Sequence, residues 1–251
     1  MPDYPILEFD PAPQAFIEPS RILKRLDVPE HCVLCFFQDV ITAVCANAKC
    51  VYHLGSELGR NPVYELDVHG RRLVVVHPGV GAPLAAGFLE EVIALGCTRF
   101  IACGGSGVLM PEIAVGHAVI INRAVRDEGT SYHYLPPSRE VSASPAAVAA
   151  LEATLARHHV PCVTGKTWTT DAIYRETPAK IARRKAEGCL TVEMEAAAFF
   201  AVAQFRGVTF GQVVYGGDDL SGDEWDSRDW QSRASARDKL FWLAAEACLA
   251  L

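Results

Sequence analysis

The sequence lacks the marks of several large protein classes. No apolar run approaches the roughly 18 consecutive residues that a membrane-spanning helix needs, so no membrane is expected as a partner. The opening MPDYPILEFDPAP has no basic stretch followed by an apolar core, so no secretory signal is expected. Basic residues are dispersed and the net charge is −7, which argues against a nucleic-acid partner. The one tight basic cluster, Arg183-Arg184-Lys185, reads as a solvated helix face. Nine cysteines form an odd set without framework spacing, as free thiols in a reducing cytoplasm do. Cys32 and Cys35 make a C-x-x-C, but it falls in an apolar strand-like run with no second pair at zinc spacing, so no metal or redox site is expected. There is no internal repeat, low-complexity tract or linker. One domain over residues 1–251 is expected, with 1–30 a Pro-rich, less regular extension that includes a helical patch from Ser20 to Leu26.

What is present is a strong core signal. Half of the 251 residues are apolar and 21% are charged. Runs of strand length alternate with runs of helical period. HCVLCFF, TRFIACGG, GHAVIINRAV, PCVTGKTWTT and VTFGQVVYGG read as strands, and VYELDVHG and RRLVVVHPG as two strands joined at His69-Gly70. Helices are expected over Ala82–Leu95, stopped by Gly96, over Pro145–His158, over Pro178–Ala186, and from Arg233 to Leu251. Apolar strands alternating with helices predict an α/β fold: a three-layer α/β/α domain with a mixed, mostly parallel central sheet.

In such folds ligands gather at the carboxyl ends of strands, and three Gly-rich stretches fall there: HPGVGAP, CGGSG and YGGDD. The turns at Gly79-Val80-Gly81 and Gly104 to Gly107 let backbone N–H groups approach an anion, although a plain tight turn reads the same way. CLTVEMEAAAFFAVAQF carries two carboxylates, Glu193 and Glu195, in an otherwise apolar stretch. On one helix they would stand about 200° apart. If the segment enters extended and turns helical near Met194, both lie at the helix start, where the dipole favours negative charge. Acidic capping and ligand binding remain alternatives at that point. Asp218, at the end of a strand beside Gly-rich loops, is placed for acid–base work or is part of a solvated acidic loop. Trp168 offers a stacking face or a piece of core.

Taken together and in this order, the VEMEAAAFF segment, the HPGVGAP turn, IACGGSG and YGGDD resemble the nucleoside phosphorylase/nucleosidase superfamily. That group includes hexameric purine nucleoside phosphorylases, uridine phosphorylases and methylthioadenosine/S-adenosylhomocysteine nucleosidases. The resemblance runs from about Val33 to the C-terminus. It implies cleavage of a bond between ribose and a base through a transition state with oxocarbenium character. Glu195 would bind ribose hydroxyls, Met194 would pack on the sugar, and Glu193 would support the same ribose pocket. Asp218 would assist the leaving purine, with Trp168 flanking it. Gly79, Gly81, Gly105 and Ser106 would line the nucleophile side. The positions of the uracil-reading Gln and Arg of uridine phosphorylases fall near Thr177 and Ala179, which points to a purine-type base.

The phosphate side departs from the family pattern. Phosphorylases carry an Arg at the position of Ala102, and a Gly and an Arg in an early loop that here reads CFFQDVITAV. Arginine offers phosphate a charged fork of donors, and alanine offers nothing. Arg60 falls near a family Arg that reaches phosphate across a subunit boundary. Asp39 falls near the acid that nucleosidases use to activate water. The resemblance therefore implies a nucleoside as small-molecule partner and a homo-oligomer, dimer or hexamer. It implies no metal or organic cofactor. Inorganic phosphate as co-substrate, water as nucleophile, and binding without turnover all remain open.

Overall fold

The computed structural model describes residues 4–232 and 234–251. The strands, in chain order, are β1 (His31–Cys35), β2 (Lys49–Ser56), β3 (Gly59–Val68), β4 (Arg71–Val76), β5 (Arg99–Val108), β6 (Ala118–Asp127), β7 (Glu140–Ser142), β8 (Cys162–Thr170), β9 (Cys189–Glu193) and β10 (Thr209–Asp219). The helices are α1 (Pro19–Ile22), α2 (Gln38–Val44), α3 (Ala82–Leu95), α4 (Pro145–Arg157), α5 (Pro178–Ala186), α6 (Ala196–Arg206) and α7 (Ala234–Leu249).

The strands form one mixed sheet ordered β10-β6-β8-β9-β5-β1-β4-β3-β2, and β10 also pairs with β5. That extra pairing closes β5, β10, β6, β8 and β9 into a ring. Parallel pairs β4–β1, β1–β5 and β5–β10 run side by side through the middle. Antiparallel β2, β3 and β4 form one edge.

Alternation along the central strands sorts the core into two layers, because successive side chains leave a strand on opposite faces. Cys32, Leu34, Val74, Val76, Phe100 and Ala102 face one side, against Ala85, Phe88, Leu89 and Val92 of α3 and Phe199, Phe200 and Val202 of α6. Val33, Cys35, Leu73, Val75, Ile101 and Cys103 face the other, against Leu151 and Leu155 of α4 and Phe241, Ala244 and Cys248 of α7. This is the expected mixed α/β architecture with helices on both faces of the sheet.

Local expectations and structure differ at identifiable places. Helix α1 is shorter than expected, because Leu23 is already extended (φ −100°, ψ 136°). The first strand ends at Cys35, and Phe36-Phe37 turn off the sheet into α2, a helix absent from the expectation. Strand β2, with mostly half-buried and exposed residues, was also absent from it. The expected start of the last helix, Arg233, lies outside the described residues. Arg184 is not on a solvated face: it is 6% exposed, bonds Asp127 and Glu187, and lies over the Trp168 ring. The nine cysteines are free. No helix among the described residues is long and apolar enough to cross a membrane.

Candidate active site

The site is built where β9 hands over to α6. Strand β9 ends at Glu193, and α6 begins at Ala196, so the two glutamates straddle an extended-to-helical junction. They do different work there. One oxygen of Glu193 accepts from the Thr169 hydroxyl at 2.6 Å. The other accepts from the backbone N–H groups of Glu195 (2.8 Å) and Ala196 (2.7 Å). The Gln212 side chain also donates to this carboxyl. The first N–H groups of a helix have no partner within the helix, and a carboxylate satisfies them best. Glu193 thus caps α6.

Glu195 has fewer partners. Its Oε1 accepts from the Gly81 N–H at 2.6 Å, and the Met194 N–H also donates to it. Gly81 meets it with φ 88° and ψ 142°, a conformation close to one reserved for glycine. Both carboxyls are buried, Glu193 at 7% and Glu195 at 6% exposure. Burial pushes both pKa values up. The donors around Glu193 pull it back, whereas the neighbouring Glu193 charge pushes Glu195 further up.

A cavity of about 270 Å³ opens over this junction. Met194, Glu193 and Glu195 form one wall, Gly105 and Ser106 of β5 another, and Asp218 lies at the end of β10. Six expected residues from three separate segments therefore converge. Ser106 is 7% exposed and donates to the Tyr215 carbonyl at 3.2 Å. Asp218 accepts from the Trp225 indole N–H at 2.7 Å. Its neighbour Asp219 is turned away, accepting from the Ser221 N–H at 2.7 Å and from Arg228. Burial works against the Asp219 charge, but the Ser221 and Arg228 donors outweigh it and lower its pKa.

Other expected residues stand elsewhere. Trp168 does not line the cavity. It is fully buried, its indole N–H donates to Asp127 at 2.9 Å, and it packs with Leu109, Val125, Cys189 and Val192. Its expected stacking role is therefore corrected: Phe36, Phe37 and Trp230 are the aromatic residues of the cavity wall. Gly79 is behind the wall, its N–H donating to His77 Nδ1 at 3.0 Å. A side chain there would meet Leu84 at 2.5 Å, so Gly79 packs against the first turn of α3, whereas Val80 beside it lines the cavity. Asp39, in the first turn of α2, is outside the cavity and pairs with Arg237 at 2.9 Å. Arg60 is exposed on the β2–β3 hairpin, away from the cavity of its own chain. Ala102 is fully buried in the core and presents no donor.

Three polar lining residues were not singled out from the sequence: Glu176, Gln212 and Arg237. Gln212 is 1% exposed, and its amide oxygen has no partner. Arg237 reaches in from α7, with its guanidinium 4.8 Å from the centre of the Phe37 ring. Glu176 is pushed up to about 7 by burial and by Asp218. Among the described residues, no group of three or more His, Cys, Asp or Glu is placed to hold a metal ion.

The fold has helices on both faces of a mixed sheet, with acidic side chains gathered at the ends of β9 and β10. The family model of the Phosphorylase superfamily matches residues 30–247, and the chain belongs to that superfamily. It is 32% identical over 146 residues to a guanosine phosphorylase of Halorubrum lacusprofundi, covering 57% of this chain and 59% of the relative. It is 35% identical over 150 residues to a uridine phosphorylase of Treponema pallidum, covering 55% and 57%. The chain thus spans little more than half the length of these relatives. Among solved structures it is similar to a uridine phosphorylase of Vibrio fischeri complexed with 6-hydroxy-1-naphthoic acid. That match has a TM-score of 0.75 at 22% identity and covers 90% of this chain and 93% of the other. An AMP nucleosidase of Bacteroides thetaiotaomicron matches with a TM-score of 0.73 at 18% identity, covering 89% of each chain. At these identities the two structures speak for the fold.

Proposed function

We propose that the cavity cleaves the N-glycosidic bond of a purine-type nucleoside and releases the free base. The observation that carries this reading is the convergence of Glu195, Met194, Ser106 and Asp218 on one cavity. Glu195 has acceptor capacity left beyond the Gly81 and Met194 N–H groups, as paired ribose hydroxyls require. As the bond to the base breaks, positive charge builds on the ribose ring; that charge favours the ionised form of Glu195, which burial and Glu193 otherwise oppose, and the carboxylate in turn favours this state over the bound substrate. Asp218 lines the same cavity and is assigned here to the base, and Phe36, Phe37 and Trp230 offer apolar walls to a planar ring. The name of the Halorubrum relative supports a purine. Those of the uridine phosphorylases do not, and Thr177 and Ala179 supply no uracil-reading side chains.

We propose water as the nucleophile. Four carboxyl side chains line the cavity (Glu176, Glu193, Glu195 and Asp218), against a single cation, Arg237, among the described residues. That cation is already paired with Asp39. A phosphate dianion would find little positive charge from this chain's own residues there, because the carboxyls repel it when ionised and supply no positive charge when burial keeps them protonated, whereas water needs no cation. The phosphorylase names of the relatives favour phosphate, so the products must decide. Reaction without phosphate is expected to yield free base and free ribose in equal amounts. A strict phosphate requirement, with ribose 1-phosphate as product, would overturn the water reading. The reading calls on no metal or organic cofactor. The family resemblance further supports a homo-oligomer, which sedimentation equilibrium would test.

A further inference from the structure

Glu176 lines the cavity and has no role yet in breaking the bond to the base. A short 3-10 turn, Ile173–Arg175, closes with the Glu176 N–H on the Ile173 carbonyl at 3.4 Å, and Pro178 opens α5 two residues later. Glu176 is therefore held between two elements and lines the cavity, its carboxyl near enough to Asp218 to feel that charge. The charged groups lining the cavity with it are Asp218 at the end of β10, Glu193 and Glu195 at the β9–α6 junction, and Arg237 on α7. Asp218 is the one whose charge acts on it. One oxygen of Asp218 is occupied by the Trp225 indole, Glu193 by the start of α6, and Glu195 by Gly81. No described residue donates a hydrogen bond to the Glu176 side chain. Of the four carboxyls it is the one without such a donor.

We propose that Glu176 is the general acid that protonates the leaving base, with Asp218 beside it as the acceptor that orients that base. This rests on N-glycosidic cleavage being the reaction. As the bond from C1′ to the base nitrogen breaks, its electron pair stays with the base. The Glu176 carboxyl proton is taken up on a base nitrogen, so the base leaves neutral. Water adds its oxygen to C1′ and loses one proton to solvent, and Glu176 takes a proton back from solvent. Nucleoside and water thus become base and free ribose. Burial and the Asp218 charge favour the protonated acid, moving its pKa up to about 7, near the pH at which an acid is most useful.

The test compares inosine with 7-methylinosine, whose base already carries the positive charge that protonation would supply. Wild type and Glu176→Gln are assayed on both for base release, after thermal melting shows that the variant folds. Expected is a loss of about 100-fold or more on inosine for Glu176→Gln, with the rate on 7-methylinosine within about twofold of wild type. Partial recovery on inosine by Glu176→Asp is expected as well. In wild type the inosine rate should fall as pH rises through about 7, and the 7-methylinosine rate should not. Unchanged inosine turnover in Glu176→Gln, or equal losses on both substrates, would overturn the assignment while leaving N-glycosidic cleavage standing. If Glu176→Gln does not fold, Glu176→Asp decides alone: an inosine rate lowered more than the 7-methylinosine rate supports the assignment, and equal losses on both substrates overturn it. A wild type that cleaves neither nucleoside overturns both readings.

Discussion

The backbone N–H of Gly81 donates to Oε1 of Glu195 at 2.6 Å, across 114 residues of sequence. This bond ties the turn after β4 to the junction of β9 and α6, and it fixes one oxygen of the carboxyl expected at ribose.

Gly81→Ala should weaken both fold and activity. The space beside Gly81 is open, since a Cβ would meet nothing within 4 Å. The cost is therefore conformational: φ 88° with ψ 142° strains an alanine by about 1–3 kcal/mol. Chemical denaturation should show that loss, and KM for the nucleoside should rise as the Gly81 N–H shifts away from Glu195.

Glu193→Ala and Glu195→Ala should separate structure from chemistry. Removing Glu193 leaves two buried N–H groups of the α6 start and the Thr169 hydroxyl without their acceptor. At about 1–3 kcal/mol for each buried unsatisfied group, it should lower Tm sharply. Removing Glu195 frees only the Gly81 and Met194 N–H groups, so it should melt closer to wild type. Its kcat/KM should nevertheless fall by about 100-fold or more, the range of a lost transition-state contact.

Glu176→Gln should change stability in a pH-dependent way. The folded state raises the Glu176 pKa to about 7, from an ordinary value of 4.5. A raised carboxyl favours folding at low pH, and that contribution is lost as pH climbs from near 4.5 through about 7. Glutamine never ionises. The variant should therefore melt above wild type at pH 8 and alongside it at pH 4, as differential scanning calorimetry would show.

Trp168→Phe tests the corrected placement. The change removes the indole N–H that meets Asp127 at 2.9 Å and leaves a gap in a fully buried site. Stability should drop by about 1–3 kcal/mol. KM for the nucleoside should stay within about twofold of wild type, because the ring lies outside the cavity. A large rise in KM at unchanged stability would return Trp168 to the base pocket.

Much of the architecture was legible because local signals agree with the fold. Helices α3 and α5 run over the expected residues, each with proline in its first turn. The extended entry to α6 was readable because Thr191 and Val192 favour a strand, while the alanines after Glu195 favour a helix. Helix α2 was hidden by its β-branched residues and by the apolar run before it, which prolongs β1 on paper. In the site, the acids of VEMEA and YGGDD announce themselves as charges in apolar surroundings. Glu176 and Arg237 do not, since each stands among other polar residues and acquires its place only when α5 and α7 close on the sheet. The burial of Trp168 depends on Asp127, 41 residues away, and nothing local indicates that partner.

The most direct measurement of the central claim is base release, followed by chromatography, from inosine, guanosine, adenosine and uridine in phosphate-free buffer, with wild type and Glu195→Ala in parallel. The account expects wild type to free a purine base without phosphate, and the variant to free it at least about 100-fold more slowly. No base from any nucleoside, with or without phosphate, or equal release by the variant, would contradict it.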